Sequence, residues 1–486
     1  TEEDIMRVYN KYIKGKNAVY VSFVPKGQIK LALSGAVKAE IEEEEIKLNK
    51  LNISEYNPEN RIIKKFTPSS FDRSIEPSFG ESYEITAPNI WRDQLKNGLD
   101  LYGNFSDETP LINFSLFIDA GRKYGAADKP AIPRLLAEML SKGTANKTTS
   151  ELEEAIQSLG SSISIRNDVE GTYISGFTLS KNFNKTINIL KEILTNPRWD
   201  QKEFELLKIK AIEDITKSEG NPNFIAYREN AKLSYKDNNI LHYVGYGPKN
   251  KIEAVELDDL QDFYNQFYNF NKAKLKIVGN YDTKQIKEKF SFDMVMSSSN
   301  QRSLPEPANP VGETKIYFYD IPDSKQSVLT MNYPSLKATD ENYLLAKAIN
   351  FSLGGIYTSK LNSKLRIEKG YTYGIRSAFN GTNDEGSFQI QTSVRTNVTK
   401  EAIELIRDIV TSYGTKFTPS ELEIMKNALI RGKALKNETF TNKLQLLNNI
   451  SLYNYDDNYQ SENTKLIKEL SIDKFKLLAA KYILPS

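Results

Sequence analysis

The chain repeats its own pattern, and this restricts its fold more than any other feature. GTYISGFTLSKN (Gly171–Asn182) precedes a helical stretch containing LKEIL, and GSFQIQTSVRTN (Gly386–Asn397) precedes one containing IRDIV. Both then run through a loop into a capped helix. A shorter pattern occurs three times, as TEEDIMRVYNKY (Thr1–Tyr12), LDDLQDFYNQFY (Leu257–Tyr268) and SIDKFKLLAAKY (Ser471–Tyr482). The first two copies lead into apolar runs, AVYVSFV (Ala18–Val24) and AKLKIVG (Ala273–Gly279), both expected as strands; the third is followed by Pro485–Ser486. Repeats of this kind are supersecondary units that share a core. The expected arrangement is a tail of one unit, a whole unit, and a unit lacking its last strand.

Within each unit the hydrophobic period switches between two and about 3.6, so strands and helices alternate. LINFSLFIDA and SVLTMNYPSL are expected strands, followed by the helices IPRLLAEMLSKG and NYLLAKAINFSLGG, which end at glycines as helix C-termini commonly do. Asp200-x-x-Glu203 and Thr418-Pro419-Ser420-Glu421 have the form of capped helix starts, as does Ser150-x-x-Glu153. The expected class is α+β, with two homologous domains, each a mainly antiparallel sheet covered by helices. The expected boundaries are a tail at 1–26, a polar linker at 27–85, a first domain at 86–297, a linker at 298–312 and a second domain at 313–486. The acidic run Glu42–Glu45 in the first linker is expected to be solvated surface.

Composition excludes more than it proposes. The chain has no cysteine and a single histidine, His242. Disulfides, thiolate chemistry and cysteine zinc sites are therefore absent, as is any paired-histidine metal motif. The 65 basic and 63 acidic residues nearly cancel, so nothing points to nucleic acid. No run approaches the ~18 apolar residues of a membrane span. The opening TEEDIMRVYNKY is an amphipathic helical pattern without the features of a signal peptide, and is expected to be interior sequence of a longer protein.

Two segments carry the candidate chemistry. The first is GRKYGAADKPAIPRLLAEMLSKGT (Gly121–Thr144), by pattern a strand end, a loop and a packing helix. The second is GGIYTSKLNSKLRIEKGYTYGIRS (Gly354–Ser377): a helix end, a short helix with Arg366, a stop at Gly370, and a strand carrying Tyr371 and Tyr373. By residue type alone, Arg366 is a surface arginine, Tyr373 a strand tyrosine and the glycines turn formers. His242 lies in a loop and is assigned no role.

The frame of both segments resembles pitrilysin/insulinase-type peptidases. In those enzymes HxxEH leads into ML-x-x-GT, and Met139–Thr144 match that tail. The motif positions then fall on Arg134, Ala137 and Glu138, which depart from the pattern at every place. Glu213 falls near the family's third, carboxylate ligand, yet one carboxylate does not hold zinc in a three-ligand catalytic site. The second segment is similar to the family's LGG-x-x-x-S-[RK]-L followed by L-R-x-E-K-G-x-x-Y, with Arg366 and Tyr373 on its arginine–tyrosine pair. Gly354, Gly355 and Ser359 match the loop before it, and the resemblance places them at the wall of a substrate chamber.

The resemblance implies a non-catalytic, substrate-binding half of a zinc-dependent peptidase. This chain would carry no cofactor. A partner half, on the same precursor or a separate subunit, would supply HxxEH and zinc, and the substrate would be an unfolded peptide. Arg366 and Tyr373 would contact it near the scissile bond, since a guanidinium fork and a phenol are donors suited to carbonyls and developing oxyanion charge. The opening helix and Ala18–Val24 could dock on a sheet edge. The alternative is an inactive homologue that binds peptides or serves as a scaffold. A bacterial periplasm or cell envelope fits the resemblance, with cytoplasm left open.

Overall fold

The computed structural model describes residues 1–35, 37, 72, 75, 88–270, 272–292, 314–433 and 437–485. The linkers expected at 27–85 and 298–312 fall largely outside these residues, as does Glu42–Glu45. The chain divides into two compact units, Thr1–Gly80 and Glu81–Ser486.

In the first unit, Thr1 caps the helix Glu2–Tyr12 through a reciprocal box with Asp4, and no residue of that helix is buried. The following segment departs from expectation. Residues 18–24 form no ladder with any described residue, and Val19, Tyr20, Val21 and Phe23 are exposed. A strand exists only where its N–H and C=O groups find a partner, and an isolated extended segment leaves them to water.

The second unit contains nine strands among the described residues: β1 (Trp91–Gln94), β2 (Asp100–Phe105), β3 (Leu111–Ile118), β4 (Ser162–Asn167), β5 (Thr172–Leu179), β6 (Lys274–Gly279), β7 (Gln326–Pro334), β8 (Thr372–Gly381) and β9 (Gly386–Arg395). The first six form one sheet in the order β1-β2-β6-β3-β5-β4. All its pairs are antiparallel except β2–β6. The last three form a second, antiparallel sheet in the order β7-β9-β8. The fold is α+β, with two sheets each covered by helices.

Each sheet has its own core. In the first, Phe114, Leu116, Ile118, Leu275 and Ile277 pack against Leu135, Leu136, Leu190 and Phe204 of the covering helices. In the second, Ile375, Phe379, Phe388, Ile390 and Val394 meet Leu345, Ile349, Ile406 and Val410. Burial on this scale is the dominant favourable contribution to folding. The repeated strands and helices form as expected, and Asp200 and Thr418 are N-caps. One cap lies two residues earlier than expected: Thr148, not Ser150, closes a box with Glu151. The reason is geometric, because the Thr148 hydroxyl faces the free N–H of Glu151.

The two sheets are joined by polar contacts around the turn between β8 and β9. Glu170 Oε1 accepts from the Asn383 backbone N–H at 2.9 Å and from its side-chain amide at 3.1 Å. Lys123 Nζ lies 2.6 Å from Asp384, and the Tyr235 hydroxyl donates to Glu385. The helix Phe440–Tyr453 lies against β6, β3 and β2, where Lys274 Nζ donates to the Ser451 carbonyl. Beside it Lys276 is fully buried, and its amino group has no hydrogen-bond partner among the described residues. Phe117 and Tyr173 present their rings to it at 5.5 and 6.0 Å. Burial first, then the neighbouring Lys274, push its pKa well below the ordinary lysine value.

Candidate functional site

The segment matching a zinc helix is a helix, Ile132–Met139, with Pro133 in its first turn, where a missing N–H costs nothing. Six of its eight residues are buried, Ala137 among them at 1% exposure. Arg134 and Glu138 stand one turn apart on its open side, with Arg134 Nε 3.4 Å from Glu138 Oε1. The hydroxyl of buried Tyr246 donates to the same carboxylate oxygen at 2.5 Å. The Arg134 guanidinium lies 3.9 Å from the centre of the Tyr246 ring. Burial first, then the Glu138 carboxylate, raise the Tyr246 phenol above its ordinary pKa. The three side chains thus satisfy one another.

These residues do not fit zinc. A guanidinium repels a cation, Ala137 offers no ligand or base, and the Glu138 carboxylate already accepts from Tyr246 and Arg134. Glu213, on the helix Gln201–Ser218, is exposed. Among the described residues no group of three or more His, Cys, Asp or Glu side chains is arranged to hold a metal ion. His242 has a local structural contact, Nδ1 lying 2.9 Å from the Tyr235 carbonyl oxygen.

The second segment is built differently. The helix Tyr343–Asn350 runs into a wider π-helical turn, Phe351–Gly355, and a second such turn, Ser363–Glu368, carries Arg366. Gly370 ends it in the left-handed region, φ +61°, where glycine meets no Cβ penalty. β8 begins at Thr372, so Tyr371 precedes the strand rather than belonging to it, while Tyr373 is its second residue. The β8 register shifts between Thr372 and Ile375, which aims Tyr373 away from the ladder.

Arg366 and Tyr373 come together, but not side chain to side chain. Arg366 Nη1 donates to the Tyr373 backbone carbonyl at 2.5 Å, and its guanidinium carbon lies 4.7 Å from the centre of the Tyr357 ring. The Tyr373 side chain is 87% exposed. Gly354, Gly355 and Ser359 sit behind this surface or beside it. Gly354 and Ser359 are buried, and a Cβ on Gly354 would stand 2.3 Å from Ser377 Oγ. The close approach of helix end to strand therefore requires glycine.

Two buried asparagines hold this turn to β8. Asn362 Nδ2 donates to the Ile375 carbonyl at 2.9 Å and to Ser359 Oγ at 3.2 Å, while its Oδ1 accepts from the Ile375 N–H at 3.1 Å. The side-chain amide thus replaces a strand partner beside the bulge. Asn350 Nδ2 donates to the Ser377 carbonyl at 2.8 Å, and its Oδ1 accepts from the Ser377 hydroxyl at 2.5 Å. Neither asparagine was singled out by motif. For Asn350 the available signal is a polar amide inside an otherwise apolar helical run, YLLAKAIN; Asn362 sits in the polar run SKLNSKLR and offers none. Tyr246 was missed as well; it lies beyond the histidine loop, in VGYGPK.

Comparison with known proteins places these segments. Residues 106–239 match the family described as Insulinase (Peptidase family M16), and residues 254–429 match the one described as Peptidase M16 inactive domain. A "Non-peptidase homolog YmxG" of Helicobacter pylori is 23% identical over 354 residues, covering 71% of this chain and 79% of its own. A probable mitochondrial-processing peptidase subunit beta of Arabidopsis thaliana is 23% identical over 288 residues, covering 57% of this chain and 52% of its own. The crystal structure of a peptidase M16 inactive domain from Pseudomonas fluorescens superposes with a TM-score of 0.73 at 19% identity, covering 82% of this chain and 95% of that one. That likeness establishes the fold. Among the described residues no helix is long and apolar enough to cross a membrane.

Proposed function

The chain belongs to the insulinase family of peptidases, family M16, and on that premise we propose that it is the substrate-holding, non-catalytic half of such a peptidase. The observation that carries this reading is the contrast at the two motif segments: Arg134, Glu138 and Tyr246 satisfy one another at the zinc-helix positions, while Arg366 has no carboxylate partner among the described residues and Tyr373 is exposed. The partner is an HxxEH-bearing half, on the same precursor or a separate subunit, and it brings the zinc. The Arabidopsis relative, named as a subunit of a mitochondrial-processing peptidase, supports a two-part assembly. The expected boundaries, a first domain at 86–297 and a second at 313–486, suit two sheets with separate cores.

The substrate is an unfolded peptide. Arg366 offers donors to its main-chain carbonyls, and the Tyr373 phenol offers one more. Gly354, Gly355 and Ser359 shape the support beneath them. A second reading, an inactive homologue that binds peptides or acts as a scaffold, is favoured by the name of the Helicobacter relative.

Reconstitution separates the two. With zinc alone this chain should hydrolyse no unfolded peptide, and mixing with an HxxEH half should give cleavage. Arg366→Ala should then lower peptide affinity about tenfold, as expected for loss of a charge-assisted hydrogen bond. Tyr373→Phe should lower turnover by a smaller factor. Cleavage by this chain alone overturns the reading, and so does unaltered affinity and turnover in both variants.

A further inference from the structure

The guanidinium of Arg366 has an unusual set of neighbours. It sits in the turn Ser363–Glu368, and among the described residues no carboxylate lies within ion-pair distance. Its contacts are the Tyr373 carbonyl, taken by Nη1, and the face of Tyr357. Tyr357 is 58% exposed, in the loop between Phe351–Gly355 and the helix that starts at Lys360. It contributes nothing to either core. An exposed aromatic side chain outside both cores, lying under an arginine that has no carboxylate partner among the described residues, calls for a reason.

Physical chemistry supplies one. An arginine free in water spreads over many rotamers, and fixing it on binding costs up to about 2 kcal/mol of side-chain entropy. A ring face stacked on the guanidinium restricts its plane without consuming a donor or neutralising the charge. A carboxylate would fix it too, but would occupy the fork and cancel the charge. With Nη1 on the Tyr373 carbonyl and the guanidinium over the Tyr357 ring, Nε and Nη2 keep their N–H groups free of protein acceptors among the described residues.

We propose that Tyr357 is a positioning residue, which holds the Arg366 guanidinium flat so that its unused edge meets a main-chain carbonyl of an extended peptide. This inference rests on the proposed peptide-holding role and adds to it the group that pre-orients the arginine. Pre-organisation of this kind raises affinity by lowering the ordering cost of binding. Because the ring acts through the guanidinium, its contribution vanishes when the arginine is removed.

The test is a double-mutant cycle read by fluorescence anisotropy of a labelled, unfolded peptide on the whole chain. Tyr357→Ala should weaken binding about threefold, the size expected of an exposed cation–π contact. Tyr357→Phe keeps the ring and should stay within about twofold of the wild type. In an Arg366→Ala background, Tyr357→Ala should change nothing further. An equal loss in both backgrounds would mean that the ring touches peptide directly, and overturns the proposal. Loss from Arg366→Ala with none from Tyr357→Ala overturns it while leaving the peptide-holding role intact. No loss from Arg366→Ala removes both.

Discussion

The two motif segments lie on equivalent scaffolds and have opposite characters. At the end of the first sheet, Arg134, Glu138 and Tyr246 close on one another, and Ala137 is packed into the core. In the second domain, Arg366 bonds to a backbone carbonyl, lies over an exposed ring and has no carboxylate partner among the described residues, while Tyr373 is exposed. The difference shows how a repeated fold loses one chemistry and keeps the shape of another. Where ligands have gone, neighbours satisfy what remains. Around Arg366 and Tyr373, buried amides hold the backbone while the Tyr373 side chain stays exposed.

Three substitutions test that contrast, in descending order of effect. Ala137→Glu would restore a motif residue in name, yet it places an unpaired carboxylate at a position that is 1% exposed. It should destabilise the chain by about 3–5 kcal/mol, the usual scale for an uncompensated buried charge. A urea midpoint close to wild type would mean that this face still accommodates a carboxylate. Asn362→Ala removes the amide that stands in for a strand beside Tyr373. The loss should be about 2–3 kcal/mol, because the Ile375 N–H is left buried and unpaired. Peptide affinity should fall with it; unchanged affinity would separate the turn from the arginine it carries.

The smallest effect concerns charge. Arg366 keeps its charge in the open, whereas Lys276 is buried without an acceptor among the described residues. Its folded-state pKa lies well below the ordinary value of about 10.4. Between those two values the unfolded chain binds the extra proton, so stability rises with pH across that window. Below the folded value the full penalty applies. Lys276→Met should therefore stabilise the protein by about 1–2 kcal/mol at neutral pH and flatten the rise. Equal pH slopes in urea titrations of the two proteins would contradict the assignment.

Most of the strand and helix order was legible because it rests on local pattern. β3, β5, β7 and β9 alternate or run apolar over their full length, and the caps at Asp200 and Thr418 depend on residues within one turn. Arg366 and Tyr373 were singled out only by the resemblance, and the structure brings the Arg366 side chain to the Tyr373 backbone carbonyl. The Ala18–Val24 expectation failed because the same local pattern says nothing about whether a neighbouring strand exists. Asn362, Asn350 and Tyr246 were not legible, since each matters through partners far along the chain. Tyr246, for example, meets Glu138 across 108 positions. Lys276 looks like any strand lysine until the helix Phe440–Tyr453 is laid over it.

The turn between β8 and β9 has a mechanical consequence. Its tip, Asn383–Glu385, is gripped by Glu170, Lys123 and Tyr235 from the other domain, and β8 runs from that grip to Tyr373. The strand is thus a strut anchored at one end in the first domain and bearing the exposed tyrosine near the other. Neither sheet can swing without loading it.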